Sequence, residues 1–388
     1  MRSTISNPQL NAAKNTIIQD ALEQGTAAGI PGLSVSVGIG GEIAWQGAAG
    51  YSDVLRQVQA NSGGCFGIGS ITKTFVARVV IQLVQEGLLD LSRAAAEYLP
   101  SEVITGIPNI NKATLYNLLQ HQSGIPSFED SGAWIRAARG EGMAIERIWG
   151  KEETLVYVRG IPALFQPGQR YAYSNTNYTL LGLIVEAVTG RELEKEIRDR
   201  ILVPLDLEHT YFESFEQGVG PLTHHYHFIT PAFKELAGIH PGCPEIRPGL
   251  IETTATNLSC EWAAGGMIST AGDLLRWAHE LRAGLLIDEE FQRLIFSHQP
   301  PIETDSSEVE YMLGVLRIPQ YWREFSAVGH GGATLGFTAR MFWLEPSEVT
   351  VVLLTNVGEM HTGIRPSPTG TFYKNVLLPA VFEYMDTW

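Results

Sequence analysis

What most restricts the fold of this chain is where its strand signals fall. The stretch "GLSVSVGIGGEIAWQGAAGYSD" (Gly32 to Asp53) alternates apolar and polar residues around the turn "GIGGE", the pattern of a two-stranded hairpin. The next strand-like runs are "YMLGVLRI", "FTARMFWL" and "VTVVLLTN", all beyond residue 310. Between them the signals are mostly helical, from Ser70 to about residue 300, broken by Gly- and Pro-rich loops such as "HQSGIPSFED" and "HPGCPEIRPG". An amphipathic helix over Ala12 to Gly25 precedes the first hairpin, and "TFYKNVLLPAVFEYM" forms a C-terminal helix. Strands at both ends with helices between them suggest one sheet assembled from the two termini. The expectation is therefore an α+β fold, one antiparallel sheet built from N- and C-terminal segments, flanked by helices, with a mainly helical region inserted. As domains, residues 1–388 read as a single catalytic unit, 1–85 and 300–388 giving the sheet region and 86–299 the helical one. A functional groove is expected between them.

The chain is strongly acidic, with 27 Lys plus Arg against 42 Asp plus Glu. Such a surface repels phosphate backbones and anionic lipid, so neither nucleic acid nor a membrane surface is an expected partner. The first twenty residues hold no apolar core of signal-peptide length and no later run is long enough to span a bilayer, so the expected location is the cytoplasm. The three cysteines, Cys65, Cys243 and Cys260, have no paired or metal-type spacing and read as packed thiols.

Chemistry is suggested first by "GIGSITKTFVARVV" (Gly67 to Val80), where Ser70 and Lys73 stand one helical turn apart. Alone, the pair fits a Ser cap with a snorkelling Lys as well as it fits a nucleophile with its base. Two further boxes follow in the same chain. "YSN" (Tyr173, Ser174, Asn175) stands before the helix "YTLLGLIVEAVTG", and "GHGG" (Gly329 to Gly332, containing His330) stands ahead of a strand. A serine hydroxyl needs a base to take its proton, and a lysine serves at neutral pH only when its pKa is pulled down from about 10.4 to roughly 7–8. Tyr173 offers a phenol that can relay the proton, Asn175 an amide that can hold Lys73 and a substrate carbonyl, and His330 an imidazole able to hydrogen-bond Tyr173. Groups this close titrate together.

The order S-x-x-K, Y-x-N, H-x-G resembles that of the penicillin-recognising serine hydrolases of the class C β-lactamase-like family. Segments along nearly the whole chain carry the likeness, among them "LLQHQSGIP", "VPLDLEHTYF", "WAAGGMISTAGDLLRWAHEL" and "GHGGATLGFTARMFWLEPSEVTVVLLTN". Ser92-Arg93 departs from the acidic residues expected after "GLLDL", and His330 stands where the β-lactamases themselves carry Lys. The resemblance implies a β-lactamase/transpeptidase-like fold and an acyl-enzyme on Ser70. It also implies an oxyanion hole from the backbone N–H groups of Ser70 and Ala333, with Gly331 and Gly332 letting substrate approach the strand edge. The implied activity is a D-stereospecific amidase or aminopeptidase on D-amino-acid amides or short peptides containing D-residues. Alternatives are a carboxylesterase or acyltransferase on the same scaffold, or, in another class, a penicillin-binding sensor that acylates without turnover. No cofactor or metal is implied, and the expected partner is a small-molecule or short-peptide substrate. By the same likeness Glu129 in "SGIPSFED" meets the α-ammonium of the substrate, with Asp130 as the neighbour that takes the role if the alignment slips by one. A solvated loop carboxylate is the plain alternative for Glu129, and a histidine metal site at His224, His225, His227 and His240 ("HHYH" and "HPG") is the competing reading for that cluster. His121 and Ser123 in "HQSG" read as a structural turn, and Trp134, Trp149, Trp262 and Trp277 as core or pocket wall.

Overall fold

The computed structural model describes residues 8–303 and 309–386; residues 1–7, on which the leader reading partly rests, lie outside the described residues. The hairpin forms as β1 (Gly32–Ile39) and β2 (Glu42–Asp53), followed by the two-residue β3 (Val58–Gln59). The late runs form β4 (Glu310–Tyr311), β5 (Leu316–Trp322), β6 (Phe325–Ala333), β7 (Thr338–Glu345) and β8 (Val349–Thr355). "YMLGVLRI" is thus split into two strands rather than one, the break falling at Gly314 with φ +79°.

One eight-stranded sheet takes all of them, in the order β4-β5-β6-β7-β8-β1-β2-β3. Its two halves join where β1 lies antiparallel to β8, Leu33 opposite Thr355 and Val37 opposite Val351. The run "VTVVLLT" is buried along its whole length because both faces of the sheet are covered. On one face Val351, Leu353, Phe342 and Leu344 pack with α1 (Pro8–Ala27) and the C-terminal helical run that ends as Leu378–Asp386. On the other, Met341, Trp343, Val352 and Leu354 join the larger core, with α2 (Thr72–Gln85), α3 (Asn175–Thr189) and α4 (Ala271–Ala283). Every residue of α2 from Thr72 to Leu83 is buried, which makes it the central post of that core. Arg78 can be there because Glu280 pairs with it at 3.1 Å.

The inserted region is not helical throughout. Tyr226–Phe228, Leu250–Glu252 and Glu245–Arg247 form a small sheet with Val357–Gly358, and Phe66–Gly67, Met267–Ser269 and Tyr211–Phe212 another. These strands have two or three residues each, too short for a periodicity to register. All three cysteines are buried, and burial pushes the Cys65 and Cys243 thiols up to about 11. Among the described residues, no helix is long and apolar enough to cross a membrane.

Candidate active site

A single-turn helix, Gly69–Ile71, leads into α2 and carries Ser70 at its middle. One turn on, Lys73 is wholly buried, and its Nζ lies 3.0 Å from Ser70 Oγ while donating to the Ala264 carbonyl at 2.5 Å. Burial, with Arg139 adding to it, pushes the Lys73 pKa down to about 7 against the pull of Glu129 and Glu261. A neutral amine in this position donates to Ala264 and turns its lone pair to the Ser70 hydroxyl. The pair can therefore exchange a proton at neutral pH.

Tyr173 stands on the segment before α3, with Lys73 Nζ 5.0 Å from its ring centre. Its hydroxyl is buried and has no hydrogen-bond partner of good geometry. Burial raises its pKa well above the ordinary phenol value, although the nearby Ser70 hydroxyl pulls the other way. Such a group is held as the neutral phenol, so its proton is in place beside Ser70 and Lys73. The "HQSG" turn braces this segment. His121 Nδ1 accepts from Ser174 N at 3.1 Å, its ring lies 4.2 Å from that of Tyr173, and Ser123 Oγ donates to Asn177 at 2.7 Å. Ser127 Oγ accepts from Asn175 N at 3.1 Å, which starts the helix.

Two expected contacts are replaced by others. Lys73 is held by Ser70 and Ala264 rather than by Asn175, whose Oδ1 is buried and without a partner. His330 turns to Tyr311, not Tyr173: His330 Nε2 lies 2.9 Å from the Tyr311 hydroxyl, and Nδ1 faces the Gly331 carbonyl. Nδ1 must then carry the hydrogen and Nε2 accept from Tyr311, so the imidazole is neutral. Burial pushes its pKa down to about 3, in keeping with that.

Ser70 and Ala333 come together through two glycines. Gly69, at φ +51°, has no side chain where a Cβ would meet Ala333 N at 2.6 Å. A Cβ on Gly332 would fall 1.9 Å from Ile68 O and 3.1 Å from Ser70 N. The strand and the turn thus touch backbone to backbone. Gly332 serves this closure rather than substrate approach. Gly331 is the open one, its nearest neighbour being Ala339 O at 3.7 Å from the missing Cβ.

A groove of about 470 Å³ opens over Ser70, Tyr173, His330 and Gly331. Glu129, not Asp130, is on its wall, and Glu261 with it. Both carboxylates pair with the guanidinium of Arg139, which is buried under them and donates from Nη1 to His361 Nε2 at 3.0 Å. Burial works against the Arg139 charge, but the two glutamates hold its pKa above the ordinary arginine value. His361 accepts here, so Arg139 faces two carboxylates, and burial raises the Glu261 pKa against the pull of Arg139. Glu129 is therefore neither a solvated loop carboxylate nor unpartnered. Arg139, Glu261, Tyr311 and His361 carry no local sequence signal; each is recognisable only through what it touches.

The four histidines of the metal reading are occupied. His224 Nδ1 lies 2.9 Å from Glu252, His225 Nδ1 2.8 Å from Thr253, His227 between the carbonyls of Leu335 and Met360, and His240 Nδ1 accepts from Gly242 N. Among the described residues no group of three or more His, Cys, Asp or Glu is arranged to hold a metal ion. Trp134, Trp149, Trp262 and Trp277 are all core residues.

Comparison with known proteins agrees with this architecture. The family model described as Beta-lactamase matches residues 18–364. A D-amino acid amidase from Ochrobactrum anthropi SV3, solved with D-phenylalanine, superposes with a TM-score of 0.80 at 25% identity, covering 96% of this chain and 98% of that one. A D-stereospecific amidohydrolase from Streptomyces sp. gives a TM-score of 0.75 at 26% identity, over 92% and 98% of the two chains. In sequence, the N-acetylmuramyl-L-alanine amidase of Bacillus subtilis (strain 168) is 30% identical over 227 residues, 55% of this chain and 49% of that protein. The chain spans about half the length, or less, of such curated relatives.

Proposed function

This chain belongs to the Beta-lactamase family, and from that premise we propose that it is a serine amidase working as one catalytic domain on D-amino-acid amides or short D-residue peptides. The observation that carries the reading is a neutral-capable Lys73 set 3.0 Å from Ser70, which lines a groove walled by Glu129 and Glu261. Likeness to two solved D-specific amidohydrolases over more than nine-tenths of the chain supports the stereochemical part.

In the proposed reaction the Ser70 proton passes to Lys73 Nζ as Oγ bonds to the substrate carbonyl carbon. The oxyanion is held by the N–H groups of Ser70 and Ala333. Tyr173 gives its proton to the leaving amine as the C–N bond breaks, and protonated Lys73 restores it. Water then cleaves the acyl-enzyme by the reverse relay. His330 and Asn175 act on position, His330 as a neutral ring fixed by Tyr311. Glu129, backed by Glu261, binds the free α-ammonium through a charge-assisted hydrogen bond. An N-acylated substrate leaves that carboxylate without its cation and is rejected.

The test compares a free D-amino-acid amide with its N-acetyl derivative, in wild type and in Glu129→Gln. Wild type is expected to prefer the free amine at least tenfold in kcat/KM, and the variant to lose that preference. Equal handling by wild type refutes the ammonium site. A single stoichiometric burst without turnover, on amide and ester alike, refutes the enzyme reading in favour of a sensor.

A further inference from the structure

The Ala264 carbonyl that accepts from Lys73 belongs to a single helical turn, Trp262–Gly265, which follows directly on the groove carboxylate Glu261. Both flanks of this turn are tied to Glu213. Leu258 N donates to Glu213 Oε2 at 2.7 Å, and Glu213 N donates to the Gly266 carbonyl at 3.0 Å. Between these ties Trp262 has φ +34°, a backbone conformation that a bulky residue keeps only where its surroundings impose it.

What imposes it is the setting of the indole. The ring is buried against α3, where a Cβ on Gly182 would fall 2.9 Å from its Cη2. Its Nε1 donates to Glu194 Oε1 at 2.7 Å, with both side chains out of water. Glu194 stands on the helix Leu193–Ile197 and is fixed in turn by Lys151. The Lys151 Nζ donates to Glu194 Oε2 at 2.8 Å and to Glu186 of α3 at 2.5 Å, and lies 5.1 Å from the Trp262 ring centre. A buried indole N–H needs an acceptor, and a carboxylate is a stronger one than a neutral carbonyl. A buried ion pair is thereby joined through Trp262 to the turn that meets the Lys73 amine.

We propose that Glu194 and Trp262 are positioning residues for Lys73, their hydrogen bond holding the Trp262–Gly265 turn where the Ala264 carbonyl meets Lys73 Nζ. This rests on the Ser70–Lys73 part of the reading above and deepens it. A carbonyl favours the ammonium form of Lys73 over the amine, and so opposes the burial that discharges it. Glu261, next to Trp262 in the chain, acts in the same sense, as does Glu129, against Arg139. His121, His330 and the rings of Tyr173 and Tyr178 complete the surroundings of the amine. When the turn shifts, Lys73 loses part of this support and becomes a weaker base as well as a misplaced one.

The test is the pH dependence with which a fluorophosphonate labels Ser70 in the whole chain, followed by mass spectrometry; the reaction needs Ser70 and its base but no amide substrate. In wild type the labelling rate is expected to rise with a midpoint near pH 7. Trp262→Phe and Glu194→Leu are expected to lower that midpoint by about one pH unit, the difference between hydrogen bonds from a charged and a neutral donor. Above the midpoint they are expected to label roughly ten- to a hundredfold more slowly. Glu194→Gln keeps an acceptor for the indole and is expected to restore most of both. Melting temperatures show which variants are folded, and either Trp262→Phe or Glu194→Leu serves if the other is not. A lower melting temperature with an unmoved midpoint marks a merely structural contact and overturns the proposal, as does a Glu194→Gln shift as large as that of Glu194→Leu. If the shifts are found and wild type hydrolyses no D-amino-acid amide, the positioning stands and only the amidase reading fails.

Discussion

Gly332→Ala tests the oxyanion arrangement at the point where the packing is least forgiving. The added methyl would sit 1.9 Å from the Ile68 carbonyl oxygen and 3.1 Å from Ser70 N, and both are backbone atoms. Cβ contacts under 3.0 Å are essentially never found, so β6 and the Gly69–Ile71 turn must part by at least about 1 Å. Overpacking of that kind costs roughly 1–3 kcal/mol of stability. The larger effect is on rate. The N–H groups of Ser70 and Ala333 sit on the two surfaces being separated, and loss of one such donor slows acyl transfer about 10²–10³-fold. Gly331→Ala is the matched control, since its methyl would meet only Ala339 O, at 3.7 Å. Its methyl stands in the groove that substrate enters, so KM is expected to rise while kcat stays within a few-fold of wild type. The assay is kcat and KM on a chromogenic ester, with urea denaturation in parallel to separate rate from stability. If Gly332→Ala keeps near-normal kcat, or if Gly331→Ala is crippled equally, the backbone closure is not what positions the oxyanion donors.

Two further outcomes follow from the same geometry. Lys73 acts as a base only when unprotonated, and burial sets its pKa near 7, so kcat/KM is expected to rise with pH through about 7. Lys73→Arg, charged at all these pH values, is expected to lose several orders of magnitude and the rising limb with them; near-normal kcat in that variant would remove Lys73 from the mechanism. The folded protein also resists protonation of this lysine, so its contribution lowers stability below about pH 7 and is relieved as pH rises toward the unfolded value. Tyr311→Phe strips His330 Nε2 of its donor and is expected to cost about 1–3 kcal/mol in urea denaturation. In a double-mutant cycle with His330→Ala the two losses should fall short of additive by about 0.5–3 kcal/mol, and strict additivity would mean that the pair does not act as a unit.

The three candidate boxes were legible because their chemistry is local. Ser70 and Lys73 announce themselves by helical spacing, Tyr173 and Asn175 by standing before an apolar helix, and His330 by its glycines. What the chain could not display was partnership across distance. The Lys73 amine is completed by a carbonyl 191 residues away, at Ala264. Glu129 is joined to Glu261 through Arg139, three residues on three separate segments. His330 finds Tyr311 only 19 residues upstream, yet that tyrosine sat in a run that read as plain strand. The large sheet was visible in outline for the same reason that the small ones were not. Alternation over eight or more residues leaves a pattern, whereas a strand of two or three, placed by its neighbours, does not.

The seam between β1 and β8 bears on how the protein is made. The hairpin β1–β2 is synthesised early, but the strand that covers the open side of β1 comes near the other end of the chain; even the Tyr384 hydroxyl reaches back 340 residues to Ala44. Until β8 emerges, the row of N–H and C=O groups along Leu33, Val35 and Val37 is an uncapped edge, which other nascent chains can extend. Such non-local closure makes for slow folding, and a chain cut short before Val349 keeps Ser70 and Lys73 while exposing that edge.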